Sequence, residues 1–449
     1  MTPPSALPDD LAALVAPYLC RQRWYAGPEG LDPTEVEVLE TRELCSTGGG
    51  EHHLYLAVVE AAGSRYQVLL GERPAGSPAE FLQSHGDSVI AGVDGRYLYD
   101  ALVDPELARE LLPIVTGGVE AATRVRPMGV EQSNTSLVFD DRIVVKVFRR
   151  LLAGRNPDIE VTTALSRVGF AHVARPVGVW RSGDLDLAFA QEFLAGGSEG
   201  WALALTSLRD FYDSGEEDPA AAGGDFSMEA RRLGSVTAQL HCAMAQAFGV
   251  ERDRLAGGGW QALLRAVGER LDRAVRDGLV ARERAGAAVA RLASVADPGP
   301  AIRVHGDFHL GQTMRADSGW YVLDFEGEPA RPRDERLAPT SAAKDVAGML
   351  RSFDYAAHVA LAERGAEGEG LKDAARAWVD HNAGELLAGY LAEEGVDALL
   401  PPEADRELVL DAFVLDKALY ELDYERSYRP GWVSIPQAAL RRITDRLAG

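Results

Sequence analysis

The chain has 449 residues, enough for two or three hydrophobic cores, and its 46% hydrophobic and 26% charged residues are typical of globular proteins. Lysine and arginine number 46 against 69 aspartates and glutamates, and the resulting net charge of −23 disfavours nucleic acid and anionic membrane surfaces as partners. The three scattered cysteines, Cys20, Cys45 and Cys242, are too few for a disulfide framework or a thiolate metal site and fit a reducing compartment. No apolar run approaches the roughly 18 residues that span a bilayer, and Asp9 and Asp10 stand where a signal peptide needs positive charge. We therefore expect a cytoplasmic protein without a membrane segment.

Short strands are predicted throughout the first part of the chain. Apolar runs at residues 53–59 and 66–70 are separated by Gly and Ser turn residues, and a second strand-rich stretch begins near Gly118. Residues 135–139 and 143–148 flank the Asp140-Asp141 dipeptide and predict a hairpin. A helix should begin after Asn156-Pro157-Asp158, because Pro and Asp favour a first helical turn, and residues 187–190 return as a strand.

Beyond Gly200 the pattern becomes helical. Apolar residues recur three and four apart over 230–248 and 259–275, and the exception is one strand-and-loop segment at 301–329. Strands first and helices afterwards predict an α+β fold. We expect three parts: a strand-rich domain at 1–117, a second strand-rich subdomain at 118–195, and a helical lobe at 196–449.

The segment 304–329, VHGDFHLGQTMRADSGWYVLDFEGEP, carries the chemistry. Gln312 follows Asp307 by five positions, and Asp324 follows the apolar run 320–323 and opens the sequence DFE. In kinase-type phosphoryl transfer an Asp accepts the substrate hydroxyl proton, an amide five residues later holds a metal ion, and the Asp of a DFG-like turn holds Mg²⁺. An amide fits this role because a hard cation takes carbonyl oxygen.

Two upstream residues complete this pattern. Lys146 lies inside an apolar strand, as expected for a lysine that reaches nucleotide phosphates, and Glu160 lies on the following helix where it could pair with Lys146. A lysine in a strand is by itself more typical of an exposed edge. The ordered set favours a kinase-like fold.

The motifs VHGDFHLGQ and DFEGEP resemble the aminoglycoside-phosphotransferase-like branch of the kinase superfamily, with Gly306 where protein kinases have a catalytic-loop arginine. Further motifs resemble the bacterial maltokinase family, which includes relatives that phosphorylate glucosamine. They are RQRWYAG at 21–27, EQSNTS at 131–136, KVFRRL at 146–151, NPDIEV at 156–161, KDVAGMLRSFDYAA at 344–357 and LDKALYELDYERSYRPGW at 415–432. The resemblance implies a protein-kinase-like two-lobed fold. It would comprise an N-terminal cap domain at 1–117, a nucleotide-binding subdomain at 118–195, and a mostly helical C-terminal lobe at 196–449 with the catalytic loop and the sugar site.

The resemblance also implies roles for individual residues. Asp307 would be the catalytic base, Gln312 and Asp324 the Mg²⁺ ligands, and Lys146, held by Glu160, the residue that binds the ATP phosphates. Glu326 would be either a further metal ligand or a charged turn residue. The phosphate-side loop would comprise Ser133, Asn134, Thr135 and Ser136, and the adenine hinge Gln191, Glu192, Phe193 and Leu194.

The helix near 408–428 is the expected specificity element. Leu408, Ala412, Leu415, Leu419 and Leu422 predict one buried stripe, which would leave Asp416, Lys417, Tyr420, Glu421, Asp423 and Tyr424 on the remaining surface. The candidate sugar-binding residues are His309, Lys417, Tyr420, Glu421, Asp423, Tyr424, Glu425 and Trp432. His305, and His309 as the alternative to sugar contact, would brace the catalytic loop.

The choice of sugar depends on one departure from the family pattern. Maltose-specific members of the family have a small uncharged residue and a basic cluster where this chain has Asp423 and Arg426-Ser427-Tyr428. An additional carboxylate favours a cationic amino sugar, because a charge-assisted pair is about twice as strong as a neutral hydrogen bond.

We therefore expect an ATP- and Mg²⁺-dependent kinase that converts glucosamine to glucosamine 6-phosphate. The enzyme alternative is a maltokinase that forms maltose 1-phosphate. The alternative without catalysis is a nucleotide-binding regulator, which would be expected to lack Asp307 or Asp324. A protein kinase is disfavoured because no APE-like segment follows DFE. The partner would be a small-molecule sugar, and the protein a monomer or a weak dimer.

Overall fold

The computed structural model describes residues 7–28, 30–76, 80–129, 134–222, 224–328 and 331–449. The chain forms two compact units, one of Met1–Glu160 with Ala174–Ala195 and the other of Val161–Val173 with Gly196–Gly449. The division into parts at 1–117, 118–195 and 196–449 stays a prediction.

The first unit begins with a helix on an antiparallel sheet. Its elements are α1 (Leu11–Cys20), β1 (Val36–Thr47), β2 (His52–Ala61), β3 (Ser64–Pro74), α2 (Glu80–Ser84), β4 (Val89–Val93), β5 (Arg96–Asp100), α3 (Pro105–Arg109) and α4 (Leu111–Thr116). The strand order is β1-β2-β3-β5-β4. Tyr55 of β2 packs in the same core as α1, whereas Leu54 and Leu56 on the opposite face pack in a second core. Both faces of β2 are therefore covered, and this explains why its sequence is an almost continuous apolar run.

A second sheet follows in the same unit. It comprises β6 (Val125–Pro127), β7 (Asn134–Phe139), β8 (Ile143–Phe148), β10 (Pro176–Ser182) and β11 (Leu185–Glu192), in the order β10-β11-β8-β7-β6, while β9 (Arg150–Leu151) pairs with β3. The predicted hairpin is confirmed, and Asp140 and Asp141 at its turn have φ values of 48° and 52°. Two such residues form the turn whose twist matches paired strands. The predicted helix α5 (Pro157–Arg167) follows.

The second unit is mainly helical. Its helices are α6 (Gly200–Ser214), α7 (Ser227–Phe248), α8 (Trp260–Arg276), α9 (Arg282–Leu292), α10 (Arg333–Leu337), α11 (Ala343–Glu363), α12 (Lys372–Leu391), α13 (Glu403–Tyr428) and α14 (Ser434–Ala448). Its short strands are β12 (Ser198–Glu199), β13 (Val250–Glu251), β14 (Ala301–Ile302), β15 (Thr313–Ala316) and β16 (Gly319–Val322). The last three lie in the predicted strand-and-loop segment.

The α+β prediction is confirmed, because strands dominate the first unit and helices the second. Within the described ranges, every helix is too short or too polar to cross a bilayer.

Candidate active site

The loop between β14 and β15 carries Asp307, and a buried carboxylate fixes its backbone. Asp345 of α11 accepts hydrogen bonds from the His305 amide at 2.7 Å and the Gly306 amide at 2.9 Å, and His241 Nε2 lies 3.2 Å from the same side chain. Burial by itself would raise the pKa of Asp345, but the contacts with His241 and the loop amides hold that pKa below its ordinary value. Gly306 has a φ of 90°, a conformation that favours glycine.

Two more contacts hold the loop in place. His305 Nε2 lies 2.8 Å from the Leu323 carbonyl oxygen, and its Nδ1 accepts from the Asp307 amide at 3.4 Å. A Cβ atom at Gly348 would lie 2.5 Å from the Phe308 carbonyl oxygen, so a glycine lets α11 approach the loop this closely. His305 therefore braces the loop that carries Asp307.

The structure brings Gln312 and Asp324 together. The Leu323 amide donates to the Gln312 carbonyl at 2.9 Å, and Gln312 Nε2 lies 3.3 Å from Asp324 Oδ2. Asp324 has a φ of 61°, a left-handed conformation that is uncommon for a side-chain-bearing residue and turns the chain immediately after β16.

This pair fits a hard divalent cation, since a carboxylate and an amide carbonyl are oxygen donors and Mg²⁺ keeps several waters and takes phosphate oxygens. Among the described residues, no group of three or more His, Cys, Asp or Glu side chains forms a metal site. Water and phosphate would therefore have to complete the coordination. Glu326 lies half-buried, and its backbone carbonyl accepts from Arg336 at 2.8 Å; its role as a ligand stays a prediction.

Lys417 of α13 connects Asp307 to a buried glutamate. Its Nζ lies 3.0 Å from Asp307 Oδ1 and 2.6 Å from Glu328 Oε1, and Glu328 is only 1% exposed. Burial opposes the charge on Lys417, but the two carboxylates raise its pKa above the ordinary value. Burial likewise opposes the charge on Glu328, but Lys417, Lys344 and Arg331 lower the pKa of Glu328 to about 2. The Lys417 ammonium and the Glu328 carboxylate thus form a buried ion pair beside Asp307.

A cleft of about 490 Å³ opens in front of Asp307. It is lined by Glu199, Trp201, Asp307, His309, Gly311, Gly348, Ser352, Tyr355, Lys417, Tyr420, Glu421, Tyr424, Glu425, Arg429 and Trp432. All the predicted sugar-binding residues except Asp423 are in this lining. Burial lowers the pKa of His309, which leaves its imidazole neutral near pH 7.

Asp423 does not belong to the cleft, and this corrects the prediction on which the choice of sugar depended. Its half-exposed carboxylate pairs with Arg273 of α8 at 3.2 Å. Asp416 and Glu421, which were predicted to lie on the polar surface of α13, are instead buried. Asp416 pairs with Arg270 at 2.7 Å and Arg331 at 3.1 Å, because α13 is packed by neighbours on several sides.

Two glutamates of α13 face the cleft. Glu421 Oε2 accepts from Arg351 at 2.7 and 2.9 Å. Glu425, 1% exposed, accepts through Oε1 from Tyr355 at 3.2 Å and from Arg429 at 2.8 Å. Its other oxygen, Oε2, is buried and has no hydrogen-bond partner among the described residues.

The sequence analysis assigned no role to several of these residues. Arg351 and Tyr355 lie in the motif KDVAGMLRSFDYAA, and Glu328 lies in DFEGEP. The sequence offered two signals for these residues. One was an arginine within an apolar helical pattern, and the other was a second acidic residue after DFE. Glu199 and Trp201 precede and open α6 and carried no signal.

The residues predicted to bind the nucleotide lie in the first unit. Lys146 occupies the central strand β8, opposite Ser136 on one side and Phe189 on the other, and its Nζ lies 3.4 Å from Asp158 Oδ2. Asp158 is a carboxylate that the sequence analysis did not assign to Lys146. The predicted partner, Glu160, lies half-buried in the same first turn of α5.

The remaining nucleotide residues are also near this sheet. Asn134, Thr135 and Ser136 begin β7, whereas Ser133 lies outside the described residues. Gln191 and Glu192 end β11, and Phe193 and Leu194 follow. The Glu192 amide donates to the Arg175 carbonyl and the Phe193 amide to the Arg142 carbonyl. Adenine would therefore have to meet other backbone groups of this predicted hinge.

Comparison with known proteins gives the family. Residues 18–104 match the maltokinase N-terminal cap domain, and residues 124–381, more than half of the chain, match the phosphotransferase enzyme family (APH). A glucosamine kinase of Streptacidiphilus jiangxiensis is 31% identical over 416 residues, which are 87% of this chain and 88% of that protein. A glucosamine kinase of Mycolicibacterium smegmatis is 30% identical over 335 residues, 73% of this chain and 81% of that protein.

A solved structure of a glucosamine kinase in complex with glucosamine, ADP and inorganic phosphate is similar in fold. It is 26% identical, covers 96% of this chain and 98% of its own, and has a TM-score of 0.66. These matches confirm the resemblance and the kinase-like fold that the sequence motifs predicted. The chain therefore belongs to the phosphotransferase enzyme family, with a maltokinase N-terminal cap domain preceding the phosphotransferase region.

Proposed function

We propose that this protein transfers the γ-phosphate of ATP to a hydroxyl of glucosamine and forms glucosamine 6-phosphate. The observation that carries the choice of sugar is the carboxylate of Glu425, which lies in the lining of the cleft that contains Asp307. An ammonium group on the substrate would pair with that carboxylate.

The charge of the cleft supports the same substrate. Four carboxylates line it, from Glu199, Asp307, Glu421 and Glu425, whereas Lys417 and Arg429 are its cations. When Arg351, the partner of Glu421, is counted as well, three cations face these four carboxylates, and the remaining negative charge attracts a cation. The names of both curated relatives agree with an amino sugar.

In the proposed reaction, Asp307 orients the sugar hydroxyl and accepts its proton. The hydroxyl oxygen attacks the γ-phosphorus, and the bond from that phosphorus to the oxygen it shares with ADP breaks. Lys417, 3.0 Å from Asp307, fixes the direction of the carboxylate. The Nδ1 atom of His309 accepts from the Gly311 amide at 3.1 Å, so neutral His309 would donate one hydrogen bond from Nε2 to a sugar hydroxyl. The aromatic faces of Tyr424 and Trp432 would cover the ring.

On the nucleotide side, Lys146 would bind the phosphates, with Asp158 or Glu160 beside it, and residues 134–136 would flank them. Gln312 and Asp324 would hold Mg²⁺, and Glu326 is the further candidate. When bound, the metal ion neutralises charge on the phosphates. The presence of both Asp307 and Asp324 argues against a regulator without catalysis. A monomer or weak dimer stays a prediction.

The test is ADP release in the presence of ATP and one of four sugars: glucosamine, glucose, N-acetylglucosamine or maltose. We expect glucosamine to exceed glucose and N-acetylglucosamine in kcat/KM by about 10⁴, because a site built for a polar partner rejects analogues without it. EDTA should abolish turnover, and added Mg²⁺ should restore it. Efficient use of maltose with glucosamine inert would contradict the choice of sugar. No sugar-dependent ADP release from any of the four would contradict the kinase assignment.

A further inference from the structure

A relay of ion pairs runs from α14 to the cleft residue Glu421. Arg442 Nη2 of α14 donates to Asp354 Oδ2 at 2.5 Å, and Arg351 Nη1 donates to the same oxygen at 2.5 Å. Arg351 then donates to Glu421 Oε2 through Nη2 at 2.7 Å and Nε at 2.9 Å. The relay therefore connects α14 to α13 through two residues of α11.

The charges in this relay balance. Arg351, Asp354 and Glu421 are buried, and Arg442 is partly exposed at the outer end. Two guanidinium groups thus face two carboxylates, and each carboxylate has a cation. Arg376 also lies 3.9 Å from Asp354, but it donates to Asp380 at 2.7 Å. Arg351 is thus shared between Asp354 and Glu421, and Arg442 supplies a second close cation to Asp354.

Loss of Arg442 would weaken the contacts that hold Glu421 in place. A buried ionised carboxylate is costly unless its partner is held in good geometry, so Asp354 would draw Arg351 towards itself once its second cation was gone. Glu421 would then lose part of a charge-assisted contact that fixes its carboxylate. Because Glu421 lines the cleft and Arg442 does not, the effect would reach the sugar and not the nucleotide.

We propose that Arg442 is a positioning residue that sets the orientation of Glu421 through Asp354 and Arg351, and so controls the affinity for the sugar without touching it. This inference deepens the proposed function, because it concerns the same acceptor site and uses glucosamine as its probe.

The test is steady-state kinetics of Arg442→Gln with glucosamine and ATP varied separately. We expect the KM for glucosamine to rise about tenfold, equivalent to 1.4 kcal/mol, while the KM for ATP stays within about twofold. Arg442→Lys keeps a cation and should recover most of the loss. Arg441→Gln is the matched control, since Arg441 is the exposed neighbour on the same helix, and it should behave as wild type.

A double-mutant cycle separates positioning from general destabilisation. If Arg442 acts through Glu421, then Arg442→Gln should add no further rise in KM to Glu421→Gln. Independent, additive rises would contradict the relay. If Arg442→Gln alone is too unstable to purify, the double variant with Asp354→Asn removes a cation and an anion together. Because Asp354→Asn removes the carboxylate that would draw Arg351 away from Glu421, the KM of this double variant for glucosamine should stay close to that of wild type, and a tenfold rise would contradict the inference.

Different results would contradict the proposed substrate and the proposed role of Arg442. A wild-type protein that ignores glucosamine contradicts the proposed substrate, and the relay is then tested with whichever sugar of the panel is turned over. Equal sugar KM values for Arg442→Gln and Arg441→Gln contradict the relay while the proposed function stands.

Discussion

Replacement of Lys417 by methionine tests whether the buried charges around Asp307 serve stability, catalysis or both. Lys417 lies 3.0 Å from Asp307 and 2.6 Å from Glu328, and its side chain is 17% exposed. Methionine fills similar space but removes the ammonium. Glu328 would keep Arg331 and the more distant Lys344, at 3.8 Å, whereas Asp307 would lose the cation that holds it.

The expected magnitude follows from burial. Removing one partner of a buried pair typically costs about 3–5 kcal/mol, because the other charge is left uncompensated. Glu328 retains other cations, so we expect Lys417→Met to lower the free energy of unfolding by about 3 kcal/mol, the lower end of that range. Loss of a hydrogen bond to a charged group is worth roughly 1.5–3 kcal/mol, so kcat should fall about 10- to 100-fold.

Adding Glu328→Gln separates the two effects. The double variant no longer contains the buried carboxylate that Lys417 neutralised, so urea denaturation should show most of the stability restored. Its kcat, measured by ADP release, should stay low because Asp307 still lacks Lys417. If the double variant regained both stability and kcat, Lys417 would act on folding alone. A single variant within about 0.5 kcal/mol of wild type, the range of ordinary surface changes, would refute the burial argument.

Three further predictions concern single residues. Asp307→Asn should keep nucleotide binding, measured by calorimetry, but lose about 10²–10⁴ in kcat, the range for general base catalysis; a rate within threefold of wild type would exclude it as the base. Asp423→Asn should leave the KM for glucosamine unchanged, whereas Glu425→Gln should raise it, because only Glu425 lies in the cleft; the reverse order would contradict the proposed ammonium site. Burial raises the pKa of Asp411 to about 6, so its contribution to stability falls as pH rises from about 4 to 6, and Asp411→Asn should raise the midpoint of thermal unfolding more at pH 8 than at pH 4; an equal shift at both pH values would exclude this titration.

Local patterns in the sequence determined the elements that carry the residues proposed for catalysis and metal binding. Strand β2, the hairpin around Asp140 and helix α5 follow from apolar periodicity and turn residues, which act over a few positions. Asp307, Gln312 and Asp324 could be grouped for the same reason. One loop and one short hairpin join them, so their spacing along the chain nearly fixes their spacing in space.

The sequence indicated only in part which face of α13 lines the cleft. Residues four apart share a helix face, so periodicity groups Lys417, Glu421 and Glu425 and puts Asp423 about 200° away from Glu425. That grouping was available in the sequence. The sequence could not show which face of α13 lines the cleft. Because α13 is buried on several sides, polar residues do not identify the face that is exposed to solvent.

The tertiary structure decided the partners of the buried charges. Glu328 reaches Lys417 across 89 positions, and Arg351 reaches Glu421 across 70. No local pattern links such residues, because their contacts depend on how α13 packs against α11 and against the loop that carries Glu328. The sequence does not distinguish a helical carboxylate that is half exposed, such as Asp423, from one that pairs with a buried arginine, such as Glu421. Packing between helices distinguishes these two cases, since it alone determines which charges lose their water and must find a partner.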